Sequence, residues 1–224
     1  MIYHNNLFKF LLSMDDHLFR IKQAEKIRHI WKVNGILLVC AILIYGWMAY
    51  LGMGTAILSP HIANLSPLEY EQQKFWFMIG RMVYATLFVG FVLFVPSLFY
   101  YALLGISLQK LIVMQQVVLL VMLAERLIWI PLAVFNGLDW YVSPFSFGII
   151  ASYLTEHVYF IYFFGMISLF QIWIIYFQVK YLRFLSDIRH QWLSFIVIGW
   201  HLFFWAIAAV FVFADQYLLS RWFG

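Results

Sequence analysis

The feature that most constrains this chain is a series of long stretches without a single charged residue. They run from Val33 to Leu68, from Met82 to Gln109, from His157 to Val179 and from His190 to Ala214. A helix needs about 20 apolar residues to cross the ~30 Å hydrocarbon core of a bilayer, and each stretch exceeds that length. Backbone polar groups find no partner in lipid, which favours helices over open sheets. The runs are continuous and lack the alternation that is typical of β-barrel strands.

A fifth apolar segment lies between Lys110 and Asp139 and is interrupted only by Glu125 and Arg126. With 65% hydrophobic and only 11% charged residues, the chain is neither a soluble domain nor a disordered one. We therefore predict an all-α polytopic membrane protein. Its five transmembrane helices are expected at about residues 33–53, 77–104, 111–135, 157–178 and 191–214.

The distribution of basic residues indicates an orientation. Most of the 14 Lys and Arg residues fall in residues 1–32, in residues 179–191 and at Lys110. Cytoplasmic loops carry such an excess, which predicts a cytoplasmic N-terminus and an outer C-terminus. The net charge of +4 then reflects this bias and some attraction to anionic lipid, so we expect no nucleic-acid partner.

The sequence divides into residues 1–32, a cytoplasmic amphipathic interfacial segment, and residues 33–219, the five-helix transmembrane domain. Apolar residues at spacings of three and four, with Lys and Arg between them, predict one interfacial helix over residues 5–31. The segment is either an anchor that leads into the first span or a docking surface for a partner. It lacks the pattern of a cleavable signal peptide.

Local signals mark the ends of two helices. Ser66, Pro67 and Glu69 form a capping-box pattern, which predicts that the second helix begins at Pro67. The dipeptide Asn136-Gly137 predicts the end of the third helix.

The sequence carries no enzymatic motif such as HExxH, GxSxG, a Walker A loop or a Rossmann glycine pattern. It has a single cysteine, Cys40, so an intramolecular disulfide is excluded and no Cys/His metal site is expected. We therefore predict a protein that is not an enzyme, with no catalytic residue, no cofactor and no metal.

Ionisable residues inside membrane helices are costly and are candidates for function. Glu125 is expected ~20 Å from the inner boundary, at a depth that Arg81 also reaches, so the two are predicted to pair. Arg126 points about 100° away from Glu125 and needs another partner, Glu156 or Asp215. These five residues form either a structural ion-pair cluster or a polar cavity that binds a substrate or a peptide.

A second polar group is expected deeper towards the cytoplasm. It comprises Gln115 and Gln116 in the third span, Gln171 in the fourth and His201 in the fifth. Side-chain amides commonly join membrane helices. His201 is either a proton-linked switch or a packing residue.

The segment from Ile167 to Trp205 resembles the C-terminal half of bacterial Yip-domain proteins. In those proteins a membrane helix carries an aliphatic-aromatic-x-Ile-Trp stretch (here Leu169 to Trp173), and a short basic loop and a last hydrophobic helix follow it. The similarity extends over residues 15–215. It implies a non-enzymatic polytopic protein of the bacterial plasma membrane that accompanies ABC-type exporters, including ones linked to antimicrobial-peptide defence. The Asp-Leu-Tyr-Gly-Pro motif of eukaryotic relatives, which work with small GTPases, is absent.

We therefore expect an accessory subunit of a membrane transport, export or defence complex. Its partners would be the lipid bilayer and a transporter permease subunit. The alternative is a self-contained, oligomeric small transporter or channel with a polar site at Arg81, Glu125 and Arg126.

Overall fold

The computed structural model describes residues 2–54 and 66–214, most of which lie in helices. The chain divides into two compact units, Met1–Ile130 and Pro131–Gly224. In the described ranges the elements occur in the order β1 (Ile2–His4), α1 (Leu7–Leu12), α2 (Met14–Gln23), β2 (Lys26–Arg28), α3 (Ile30–Tyr50), α4 (Pro67–Leu104), α5 (Leu108–Asn136), a 3-10 turn (Trp140–Val142), α6 (Gly148–Leu154), α7 (Val158–Gly165), α8 (Leu169–Leu185) and α9 (His190–Ala214).

Four of the described helices, α3, α4, α5 and α9, are long and apolar enough to cross a membrane. The shortest of them, α3, has 21 residues. At ~1.5 Å per residue it matches the ~30 Å hydrocarbon core. The described residues are helical apart from one small sheet, and the chain is therefore a helical, polytopic integral membrane protein.

The fourth predicted span is not one helix, so the prediction of a continuous helix over residues 157–178 was wrong. The helix α7 ends at Gly165 and α8 begins at Leu169. The Ser168 hydroxyl accepts a hydrogen bond from the backbone N–H of Gln171 at 3.2 Å, which caps the new helix. Hydropathy does not change across this break, so an uncharged run alone conceals it.

The backbone at this break is paired with a second segment of the same unit. The N–H of Phe147 donates to the carbonyl oxygen of Ile167, and the N–H of Leu169 donates to that of Phe145, both at 3.0 Å. Ser146 and Ser168 form an isolated antiparallel bridge between the two bonds. These bonds pair backbone groups at the break between α7 and α8 that have no partner within either helix.

The N-terminal segment folds as a small module, which we define as Ile2–Arg28. Strands β1 and β2 pair in parallel, with Ile2 opposite Lys26 and His4 opposite Arg28. The helices α1 and α2 form the crossover that a parallel pair requires. Buried apolar side chains fill its centre, and they include Tyr3, Leu7, Phe10, Leu18 and Ile21.

The single interfacial helix that we predicted over residues 5–31 was therefore wrong. The Asn6 side chain caps the start of α1 by accepting from the N–H of Lys9 at 3.2 Å. A second helix then starts at Met14, and the chain becomes extended at Lys26. The apolar side chains turn inward to a local core instead of forming one continuous stripe.

The predicted helix ends are confirmed. Helix α4 begins at Pro67, and Ser66 and Glu69 form a complete capping box. The backbone N–H of Ser66 donates to the Glu69 carboxylate at 2.9 Å. Helix α5 ends at Asn136, and Gly137 follows with φ of 63°.

Candidate functional site

Arg81 of α4 lies among three aromatic rings. Its guanidinium carbon is 5.6 Å from the ring centre of Tyr45, 5.8 Å from that of Tyr84 and 6.0 Å from that of Phe77. Such a contact contributes about 0.5–1 kcal/mol at exposed sites and about 2 kcal/mol where water is excluded. The Nε atom of Arg81 is buried and has no hydrogen-bond partner among the residues that the structure describes. The rings stabilise the positive charge without neutralising it.

Tyr45 of α3 brings a second arginine to the same place. The residue is buried, with 3% of its surface exposed. Arg126 of α5 approaches the Tyr45 hydroxyl as a hydrogen-bond donor, and its guanidinium carbon is 5.9 Å from the ring centre of Trp129. Three helices of the first unit thus contribute one residue each to a group that we call the arginine–tyrosine cluster (Tyr45, Arg81 and Arg126).

The predicted pair between Arg81 and Glu125 does not form within the described ranges. Neither residue takes part in an ion pair there, although both are only partly exposed. The physical reason is the rotation of α5. Glu125 and Arg126 point about 100° apart, so a helix that directs Arg126 to Tyr45 directs Glu125 elsewhere.

The two other predicted acidic members are Glu156 and Asp215. Glu156 is exposed in the connection between α6 and α7 and belongs to the second unit. Asp215 lies outside the described residues. Within residues 2–54 and 66–214, no group of three or more His, Cys, Asp or Glu side chains is placed to hold a metal ion.

A buried amide network joins the N-terminal module to two long helices of the same unit. The Asn5 side-chain amide donates to Oε1 of Gln116 on α5 at 2.5 Å. The Gln116 Nε2 group donates to the carbonyl oxygen of Ile30 at 3.0 Å and to Oδ1 of Asn34 on α3 at 2.6 Å. Gln116 is fully buried, and Asn5 and Asn34 are 7% and 8% exposed. We call Asn5, Asn34 and Gln116 the amide network.

Sequence reasoning identified Gln116 but missed Asn5 and Asn34. The available signal for Asn34 was a polar side chain within the uncharged stretch that begins at Val33. The sequence could not identify its partner, because Asn34 and Gln116 are 82 positions apart.

Two further contacts order the module. The Lys110 ammonium, at the start of α5, donates to the carbonyl oxygen of Lys22 at 2.9 Å, close to the end of α2. Within the module, the Tyr3 hydroxyl and Nδ1 of His17 are 2.9 Å apart. Burial raises the pKa of Tyr3 to about 12 and lowers that of His17 below its ordinary value. Both shifts favour the neutral forms of the two side chains.

The members of the predicted inner polar group divide between the two units. Gln115 is buried in the first unit, whereas Gln171 and His201 belong to the second. There His201 of α9 pairs with Gln178 of α8, with 2.9 Å between Nε2 and Oε1. Sequence reasoning missed Gln178, which is 2% exposed.

Comparisons with known proteins gave no match to a family model, a curated protein or a solved structure. The Yip-domain resemblance therefore remains a prediction.

Proposed function

We propose that the protein is a non-enzymatic accessory subunit of a membrane transport or export complex, of the ABC type or one that serves antimicrobial-peptide defence. The observation that supports this role is the amide network. It ties a folded N-terminal module to α3 and α5 through side chains that are almost fully buried. A regulatory subunit needs such a physical connection between a docking surface and its membrane helices.

The module presents the docking surface in this proposal. Phe19 is 54% exposed on α2, beside the exposed ion pair of Asp16 and Arg20. A large aromatic side chain with charged neighbours is a common anchor in protein interfaces. Partner binding there would change how firmly Asn5 holds Gln116, and would thereby bias the position of α5.

In this proposal the module lies in the cytoplasm, the C-terminus lies outside, and the protein resides in the bacterial plasma membrane. The sequence carries no nucleotide-binding motif, so energy for transport would come from a partner. The partner is a permease subunit, and a second copy of the chain is compatible with the same role.

Purification from native membranes in mild detergent tests the proposal. A permease component, identified by mass spectrometry, should accompany the full-length protein and should be lost with Phe19→Ala. The matched control is Phe195→Ala in α9, which removes an aromatic side chain that is 71% exposed and should retain the partner. Recovery of the wild-type protein alone under every growth condition would refute the accessory role.

The arginine–tyrosine cluster favours a second candidate, a self-contained oligomeric transporter or channel. Two cationic groups from different helices that meet inside a membrane protein are typical of a substrate path. In liposomes that contain only this protein, flux should then be present and Arg126→Gln should abolish it. The predicted acidic member gives a second variant, because Glu125→Gln should abolish the flux only if that carboxylate lines the path.

A further inference from the structure

The arginine–tyrosine cluster places two positive charges against one phenol in the apolar part of the first unit. Arg81 and Arg126 come from different helices and both interact with Tyr45. Neither guanidinium forms an ion pair with a carboxylate in the part of the chain that the structure describes. Like charges repel strongly where water is scarce, so this arrangement is costly without an anion.

Among residues 2–54 and 66–214, no neighbouring carboxylate supplies that anion. Gly54 lies beside Arg81: a Cβ atom built on Gly54 would be 3.9 Å from the guanidinium carbon. The next segment of the sequence, residues 55–65, contains no Asp or Glu. Glu125, although adjacent to Arg126 in the chain, is directed away from it by the helical rotation.

Several hydrogen-bond donors remain in the cluster. The buried Nε–H of Arg81 has no partner among the described residues. Arg126 approaches the Tyr45 oxygen as a donor, so the phenolic proton is free to donate in turn. A carboxylate has only two oxygens, and a single guanidinium can donate hydrogen bonds to both of them. Two guanidinium groups and a phenol match the larger number of oxygens on a phosphate group.

We propose that Tyr45, Arg81 and Arg126 form a binding site for a phosphate group. The group is carried either by a membrane lipid or by a soluble phosphate. This site stands independently of the accessory-subunit role, because it needs no protein partner.

Binding to the purified full-length protein in detergent tests the site. Native mass spectrometry compares the retention of phosphatidylglycerol with that of diacylglycerol, which has the same tails without the phosphate. Calorimetry measures the binding of inorganic phosphate. We expect the phosphate-bearing lipid to bind at least tenfold more tightly than diacylglycerol. Arg81→Gln and Arg126→Gln should each weaken phosphate-dependent binding at least tenfold, and Tyr45→Phe should weaken it severalfold.

Two variants separate this site from general charge attraction and from misfolding. Lys74→Gln removes another cation of α4, whose Nζ lies 5.3 Å from the ring centre of Tyr50, and should leave binding unchanged. Arg81→Lys keeps the charge and the fold but loses the planar fork, and should still weaken binding.

If inorganic phosphate binds as tightly as phosphatidylglycerol, the natural ligand is a soluble phosphate. If phosphatidylglycerol binds and inorganic phosphate does not, the natural ligand is a lipid headgroup. Either result supports the site. Equal retention of phosphatidylglycerol and diacylglycerol would overturn it, as would an equal loss with Lys74→Gln, or wild-type affinity in Arg81→Lys and Arg126→Gln. A failed partner purification leaves these measurements unaffected, so the two proposals fail separately.

Discussion

Replacing Gln116 with leucine removes the centre of the amide network. The substitution keeps the approximate size of the side chain but eliminates its three hydrogen bonds, to Asn5, Ile30 and Asn34. Hydrogen bonds between membrane helices contribute about 0.6 kcal/mol each on average, which gives a loss of about 2 kcal/mol for three. A buried group left without a partner costs about 1–3 kcal/mol, so three such groups set an upper limit near 9 kcal/mol on the destabilisation.

We expect the loss of stability to be close to the smaller of these two figures, because Asn5 forms hydrogen bonds with water when the module separates from α5. A loss of about 2 kcal/mol corresponds to a roughly 30-fold increase in the population of the separated state. Hydrogen exchange followed by mass spectrometry should therefore show about 30-fold faster exchange across the buried face of α2 in Gln116→Leu.

The matched control is Gln171→Leu in α8, where the substituted side chain is 8% exposed and belongs to the second unit. It should leave exchange in the module unchanged. Unaltered protection in Gln116→Leu, or equal acceleration in both variants, would refute the conclusion that the network holds the module.

Three further predictions concern single positions. Gly148→Ala places a Cβ against the backbone carbonyl oxygen of Tyr141 and should cost about 3 kcal/mol or more in unfolding free energy, measured by thermal unfolding in detergent. Gly199→Ala, with nothing within 4 Å, should not destabilise the protein. Ser66→Ala should cost about 1 kcal/mol and speed hydrogen exchange in the first turn of α4 only. Burial lowers the pKa of His17 below 6.5, so the folded module binds fewer protons than the unfolded chain. The module should therefore be fully stable above about pH 6.5 and less stable below it. Its resistance to protease should be lower at about pH 5.5 than at about pH 7.5, and His17→Gln should abolish this difference.

Much of the helical framework could be predicted because its signals are local. Long apolar segments predict the four long helices α3, α4, α5 and α9, although α5 also carries Glu125 and Arg126. The uncharged run from His157 to Val179 is the exception, because it is divided between α7 and α8. The capping box at Ser66 needs only four consecutive residues, so it too was readable from the sequence.

The missed features depend on contacts between distant residues. The parallel pairing of Tyr3 with Ile27 involves strands of three residues each, which are too short for periodicity to reveal. The position of Arg126 depends on how α5 is rotated about its axis, and hydropathy carries no information about that rotation in a helix that is apolar on all sides. The break before Ser168 is stabilised by a segment around Ser146, so the fourth span looks uniform until that pairing is known.

The amide network also has a consequence for biosynthesis. Asn5 and Gln116 are separated by 111 positions, so the module emerges from the ribosome long before its hydrogen-bond partner exists. At ~5–20 residues per second, this interval lasts roughly 6 to 20 seconds. During that time only its own local core can stabilise the module, because α5 does not yet exist. The attachment of the module to the membrane helices can therefore be completed only after the third long helix has been synthesised.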